Sequence, residues 1–335
     1  MGNKEIYAEW CKENYVPIFS QPYWMDAMCG EENWDVWLYG NGTHISAAMP
    51  YYRENRGKYK YITKALLTQN NGILFERNEK RKAATFASFQ EKVVNAACDF
   101  IKELHLDVYE QQYHHSFVNW SPFYWNHYTC IVRYTYVIKD TSDMGKVFED
   151  FTANYRKNIR KGQKYTTVCT DLSPDEFYVE HAKIFAKQNL KANITLEQWH
   201  RLYNAVQSNG TGQMICARDD QGNIHSLMYV IWDQEAMYPI LGGYMPEFSS
   251  SQSYPALTYY SIGMAHEKGL SYDFEGSMLH QVAKSFRQFG GEALPYYRIR
   301  KIFNPDIIRM EAEANIKSLE EEMVKNSSEE EDCDG

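Results

Sequence analysis

The same order of elements occurs twice along this chain, and that repetition restricts the fold more than any other feature. WDVWLYG (34–40) alternates as a strand, Asn41-Gly42 supplies a hairpin turn, and HISAAMPYYR (44–53) reads as the partner strand. ATFASFQEKVVNAACDFIKEL (84–104) carries helical periodicity, and DVYEQQY (107–113) returns to strand. Further on, GQMICAR (212–218) and IHSLMYVIW (224–232) flank a turn at 219–223, and AMYPILGG (236–243) adds a third strand. A helix from about Pro255 stops at Gly269, a residue suited to a left-handed cap, and LSYDFE follows as a strand. Hairpin, helix and strand recurring in that order predict duplication of one α/β unit.

Between the repeats the helix signals are explicit. Ser173-Pro174-Asp175-Glu176 is a capping box with proline at the first helical position, and Thr195-Leu196-Glu197-Gln198 is a second box. SDMGKVFEDFTANYRKNIRKG (142–162) reads as one broken or two short helices, so the change of domain is placed near Asp140. The expected division is 1–140, 141–304, a helix at 305–325 that packs back on the body, and a disordered acidic tail at 326–335.

LSYDFEGSM (270–278) concentrates the chemistry. As a strand it puts Leu270, Tyr272 and Phe274 on one face, and Asp273 and Glu275 on the other, about 7 Å apart. Gly276 and Ser277 turn the chain, with Ser277 placed to cap the next helix. The exit of a buried strand is where open α/β sheets build sites, although solvated acids beside a cap would read the same way. In NYRKNIRKGQK, Arg156 and Arg160 share a helix face, as do Lys157 and Lys161, and Lys164 follows. Guanidinium forks in that spacing suit a phosphate or diphosphate, and equally a solvated basic face. Tyr297-Arg298-Ile299-Arg300-Lys301 alternates like a strand that lines the same cleft or guards an edge. The aromatic run YHHSFVNWSPFYWNHY (113–128) suits either stacking on a ligand or core packing. His114, His115 and His127 lack any metal-ligand spacing, so no metal is expected.

Composition narrows the class. Charged residues make up 24% and hydrophobic ones 44%, as in a soluble globular protein. No apolar run approaches the roughly 20 residues of a membrane helix, and MGNKEIYAEWCKENY lacks a signal-peptide core, so no integral membrane contact and a cytoplasmic location are expected. Seven scattered cysteines without a CxxC pair fit a reducing compartment. A net charge of -9 disfavours a broad nucleic-acid surface. No GxSxG elbow, GxxxxGKS loop or GxGxxG fingerprint is present.

Several segments, in order, resemble tandem-GNAT proteins of the Fem type, the interpeptide-bridge aminoacyltransferases and their acetyltransferase relatives. They are FSQPYWMDAM (19–28) with WDVWLYGNGTHISAAMPYY, LLTQNNGILF (66–75), NYRKNIRKGQK, and LTYYSIGMAHEKGLSYDFEGSM with FRQFGGEALPYYRIRK. The resemblance spans most of 19–301. It implies an α+β fold with mixed sheets: two acyl-CoA N-acyltransferase-like domains side by side with a cleft between them. It also implies transfer of an acyl or aminoacyl group to an amine or hydroxyl, from acyl-CoA or an aminoacyl-tRNA, to a small molecule or a muropeptide or glycan precursor of the cell envelope. The substrate-binding set it implies is Gln69, Tyr155, Arg156, Arg160, Tyr244, Ser277 and Tyr297, with Lys301 beside the reacting groups. Asp273 or Glu275 is expected to deprotonate or orient the acceptor, and Lys301 to stabilise the oxyanion. The chain departs from the pattern at GGYMPEFSSSQSYPAL, which lacks the Q/RxxGxG/A pyrophosphate loop, so the donor stays open and a non-catalytic binding module is the alternative.

Overall fold

The computed structural model describes residues 2–331 other than 42–43, 78–80, 188, 190 and 277, with side chains described through residue 321. Twelve strands among them join one sheet: β1 (Trp34–Asn41), β2 (His44–Arg56), β3 (Tyr59–Thr63), β4 (Leu74–Phe75), β5 (Val108–Gln112), β6 (Thr129–Ile138), β7 (Thr167–Cys169), β8 (Gly212–Arg218), β9 (Ile224–Trp232), β10 (Ala236–Tyr244), β11 (Ser271–Asp273) and β12 (Glu292–Ile302). The order is β1-β2-β3-β5-β12-β6-β11-β10-β9-β8-β7, with β4 on β2.

The repeat read from the sequence is visible in the pairing. In the first half β1, β2 and β3 are antiparallel, helix Ala83–Glu103 crosses over, and β5 runs parallel to β3. In the second half β8, β9 and β10 are antiparallel, helix Ser253–Lys268 crosses over, and β11 runs parallel to β10. Each half then gives away its last strand. β6 pairs with β11 of the second half, β12 pairs with β5 of the first, and β6 and β12 pair with each other at the centre. No single cut near residue 140 therefore separates the two half-sheets.

Helices cover both faces. Val93, Val94, Ala97 and Ile101 of helix Ala83–Glu103 pack against Met49, Ile62 and Tyr109 of the first half. Helices Ala153–Tyr165 and Ser253–Lys268 cover one face of the second half, Pro174–Ala186 and Leu196–Ser208 the other. Gly162 lets the first two of these approach, since a Cβ there would sit 2.4 Å from the Gln252 carbonyl oxygen. Phe19 and Trp24 from the N-terminal segment enter the second half's core beside Tyr238 and Leu202, locking the halves together. Burying side chains of that size stabilises by about 1.5–3 kcal/mol each.

Both capping boxes form at Ser173 and Thr195, Gly269 caps its helix at φ 67°, and 142–162 becomes two helices, Met144–Asp150 and Ala153–Tyr165. The acidic strand is shorter than expected: β11 ends at Asp273, and Glu275 turns left-handed at φ 62°. Helix His280–Gln288 has Leu279 at its N-cap and no side-chain cap, and Ser277 lies outside the described residues. Helix Pro305–Glu331 is anchored by buried Ile307 and by an Arg300–Glu311 pair, while Ile308, Met310, Ile316 and Leu319 are exposed. Its backbone is helical well into the stretch expected to be disordered, and 332–335 lie outside the described residues.

Candidate active site

The strand exchange determines where chemistry can gather. β5 and β11 run in opposite directions on either side of the β12–β6 pair: Gln112 lies opposite Arg298, which lies opposite Ile131, and Asp273 lies opposite Val137. Their carboxyl ends thus face each other across the middle of β6. Tyr113, His114 and His115 leave β5, Asp273 and Glu275 leave β11, and Thr135 and Tyr296 fill the gap. These residues, with Phe19, Gln69, Asn70 and Tyr238, line a cavity whose free space of about 20 Å³ suits roughly one water.

Asp273 is only 5% exposed. One of its oxygens accepts from Thr135 Oγ1 and from the Glu275 backbone N–H at 2.7 Å, and the other lies 4.0 Å from His115 Nδ1. Burial pushes its carboxyl up to about 6, against the two hydrogen bonds and with help from the Asp233 charge. Glu275 is pushed well above the usual carboxylate range, first by burial and then by the Asp273 charge, while Lys64 and Gln69 oppose the shift. Gln69 Nε2 donates to Glu275 Oε2 at 2.8 Å, and Glu275 Oε1 is buried without a partner among the described residues. Asp233 is held differently: half-buried, with its carboxyl also raised by burial, it accepts from the backbone N–H groups of Ile18, Glu235 and Ala236 and from Tyr238.

The turn that holds the pair is strained. Glu275 occupies left-handed backbone space, at a cost of order 1 kcal/mol. Gly276 follows at φ 68°, where a Cβ would lie 2.1 Å from the Tyr134 carbonyl oxygen. Burial lowers the proton affinity of both neighbouring imidazoles, holding His114 down to about 3, so both are neutral near pH 7. Cations gather on the open side. Lys64 donates to Gln69 at 3.1 Å and is lowered by burial and by the Arg133 and Arg298 charges, while Arg133 Nε is buried without a partner.

The structure therefore brings Asp273, Glu275 and Gln69 together. Tyr155 and Tyr244 meet in a different cavity of about 220 Å³ at the start of helix Ser253–Lys268, where the Tyr155 and Ser285 hydroxyls are 2.7 Å apart. Arg156 and Arg160 lie along helix Met144–Asp150: half-buried Arg156 donates through Nη1 to the carbonyls of Glu149 and Phe151, and exposed Arg160 sits over the Phe148 ring at 5.2 Å. They hold helix Met144–Asp150 in place and line neither cavity. Tyr297 and Lys301 lie on the opposite face of β12 from the carboxylates. Tyr297 donates to the Val118 carbonyl and Lys301 to that of Asn126, the latter 4.8 Å above the Tyr128 ring. The neighbours Tyr296 and Arg298 face the cleft instead, because side chains alternate along a strand. Thr135, Lys64 and Arg133 carried no signal of their own in the sequence, and His115 stood out there only as one of three histidines without metal-ligand spacing; the exchange of β6 and β12 brings them to the acids.

Residues 149–280 match the acetyltransferase (GNAT) domain family. No curated protein matches the chain in sequence. In structure the chain is similar to FemX, at 12% identity and TM-score 0.67 over 92% of this chain and 98% of that one. It is also similar to the C-terminal domain of a putative lysylphosphatidylglycerol synthetase from Agrobacterium fabrum, at 11% identity and TM-score 0.58 over 94% and 96%. A tandem GNAT protein from the clavulanic acid biosynthesis pathway aligns at 11% identity and TM-score 0.51 over 90% and 94%. The chain thus has a tandem GNAT fold, similar over nearly its whole length to that of FemX, with residues 149–280 matching the GNAT acetyltransferase domain.

Proposed function

We propose that this protein is an acyltransferase that moves an acyl or aminoacyl group onto an amine or hydroxyl at the Asp273–Glu275 pair. The observation that carries the reading is the pair itself: two buried acids at the junction of the halves, one pushed to about 6 and the other higher, with one oxygen left unpartnered. Buried polar groups without partners are rare and cluster where a ligand completes them.

In the proposed cycle Glu275 starts protonated and Asp273 ionised, in keeping with the upward push on Glu275 from burial and from the Asp273 charge. Asp273 takes a proton from the acceptor amine, whose nitrogen attacks the donor carbonyl carbon. The new C–N bond forms as the donor C–S or C–O bond breaks, and Glu275 gives its proton to the departing sulfur or oxygen. Proton exchange between the carboxyls through one water then restores the starting state. Lys64, Arg133 and the Tyr296 hydroxyl supply positive potential to the developing oxyanion or to an anionic acceptor. Residues 1–140 and 141–304 are taken as the two duplicated units, working in the cytoplasm on a small-molecule or cell-envelope precursor. Acyl-CoA or aminoacyl-tRNA serves as donor.

Wild type, Asp273→Asn and Glu275→Gln, each assayed with acyl-CoAs and aminoacyl-tRNA against amine and glycan-precursor acceptors, test this. The reading expects turnover in the wild type and a loss of about 100-fold or more in each variant, the usual size of an acid–base contribution. Undiminished turnover in both variants would sink it. The rival reading, a binding module that has lost its donor site, draws on the absence of any lysine or arginine from the lining of the cavity at helix Ser253–Lys268. It expects acceptor binding with no transfer from any donor.

A further inference from the structure

The largest cavity described in the molecule is not the central one. It lies in the first half, between the segment Asn71–Arg77 and the start of helix Ala83–Glu103, and encloses about 550 Å³. That is the size of a pocket for a small organic ligand. Ile73, Leu74, Phe75, Phe86 and Phe117 give it an apolar wall, and the acid Glu76 lines it beside Arg77 and Arg81. Two polar groups within this lining have hydrogen-bonding capacity left over among the described residues. Gln90 is 5% exposed, and its side-chain amide meets no hydrogen-bonding partner among the described residues. Arg81 lies over the Phe89 ring at 4.2 Å and keeps a long ion pair of 4.0 Å through Nη2 with Glu76, while its Nη1 has no hydrogen-bonding partner among the described residues. Arg77 is committed to Glu235 and stacks on Tyr15.

The helix that closes the cavity adds to this. Its N-cap, Lys82, offers no side-chain acceptor, and the first intrahelical bond comes from the Phe86 N–H, so the N–H groups of Ala83, Ala84 and Thr85 have no partner among the described residues. Open N–H groups beside a guanidinium whose Nη1 lacks a hydrogen bond favour an anion. The corresponding helix of the second half, Ser253–Lys268, borders a cavity with no basic lining residue. His114 borders both the large cavity and the central one, and its ring centroid lies 4.0 Å from that of His115, with the planes tilted by 41°.

We propose that this first-half cavity binds one of the two substrates, a molecule carrying a single anionic group on an apolar body. Arg81 and the helix start take the anion, the phenylalanines take the body, and Gln90 pairs with a polar group along it. The reactive end then lies on the His114 side, toward the carboxylates. The role as substrate rests on the transferase reading; the binding does not.

The test is titration calorimetry of the full chain with octyl phosphate, octanoate and inorganic phosphate. At least one amphiphile is expected to bind at least 100-fold more tightly than inorganic phosphate. Whether octyl phosphate or octanoate binds better identifies the head group as phosphate or carboxylate. Arg81→Gln is expected to weaken the preferred amphiphile tenfold or more. Ala83→Trp, a change at an exposed helix start that fills the cavity mouth, is expected to abolish binding. Asp273→Asn is expected to bind as the wild type does, and a wild-type protein that binds the amphiphile but transfers no acyl group would count against the transferase reading alone. The proposal falls if neither amphiphile binds, if inorganic phosphate binds as tightly as either, or if Arg81→Gln and Ala83→Trp bind like the wild type.

Discussion

Replacing Asp273 by Asn should make the protein more stable while removing its activity. Folding raises this carboxyl from 3.8 to about 6. The folded state therefore holds the proton more tightly than the unfolded chain, and ionisation works against folding. The cost is absent below about pH 4, grows as pH rises through the interval, and is complete a little above pH 6. Two pKa units correspond to about 3 kcal/mol, an upper bound because Asn keeps the shape but weakens the bonds from Thr135 and the Glu275 N–H. A net gain of about 1–2 kcal/mol at pH 7.5 would raise Tm by roughly 2–5 °C in a chain of this size. At pH 5 the wild-type carboxyl is mostly protonated in the folded state, and the advantage should shrink by about 1 kcal/mol. Thermal and urea melts of both proteins at the two pH values measure this directly. An Asp273→Asn protein less stable than wild type by the same amount at both would show that the carboxylate is an ordinary, well-solvated acid, and the argument for a poised base would fail.

Other consequences follow from the same geometry. Thr135→Val removes the hydroxyl that donates to Asp273, and losing a bond to a charged acceptor, about 1.5–3 kcal/mol, should move the acid limb of the pH–rate profile upward by about one unit. Gly276→Ala must place a Cβ against the Tyr134 carbonyl at positive φ, so a loss of about 2–4 kcal/mol in urea melts is expected, with turnover falling as the acid turn shifts. Arg156→Ala gives up two bonds to the carbonyls of Glu149 and Phe151. It should cost about 1–3 kcal/mol of stability. Its kcat/KM should stay within about threefold of wild type, against the larger loss expected of a phosphate ligand.

How much of this could be read in advance depended on whether the signal was local. Caps at Ser173, Thr195 and Gly269 were legible because capping chemistry lies within three or four residues of the helix end it satisfies. The hairpin–helix–strand repeat was legible because periodicity reports the burial of each element. Asp273 and Glu275 stood out as paired acids leaving an apolar strand. Their surroundings were not legible, since Thr135 and Gln69 lie 138 and 206 residues from the acids they bond and arrive only through strand exchange. At Tyr296-Tyr297 two identical rings sit side by side, and only the register of β12 against β6 decides which one faces the cleft. For Arg156 and Arg160 the spacing gave a shared face but not its direction; the carbonyls of Glu149 and Phe151 and the Phe148 ring supplied partners from within the protein.

The account rests on a pair of buried carboxyls that share one proton near neutrality. Carbon-13 NMR titration of protein labelled at the Asp and Glu carboxyls, with Asp273→Asn and Glu275→Gln to assign the signals, tests it most directly. One carboxyl titrating near pH 6 and a second staying protonated well above it are the expected result. If the signals of both residues titrate in the ordinary carboxylate range, the pair is not poised for proton transfer and the proposed chemistry is contradicted.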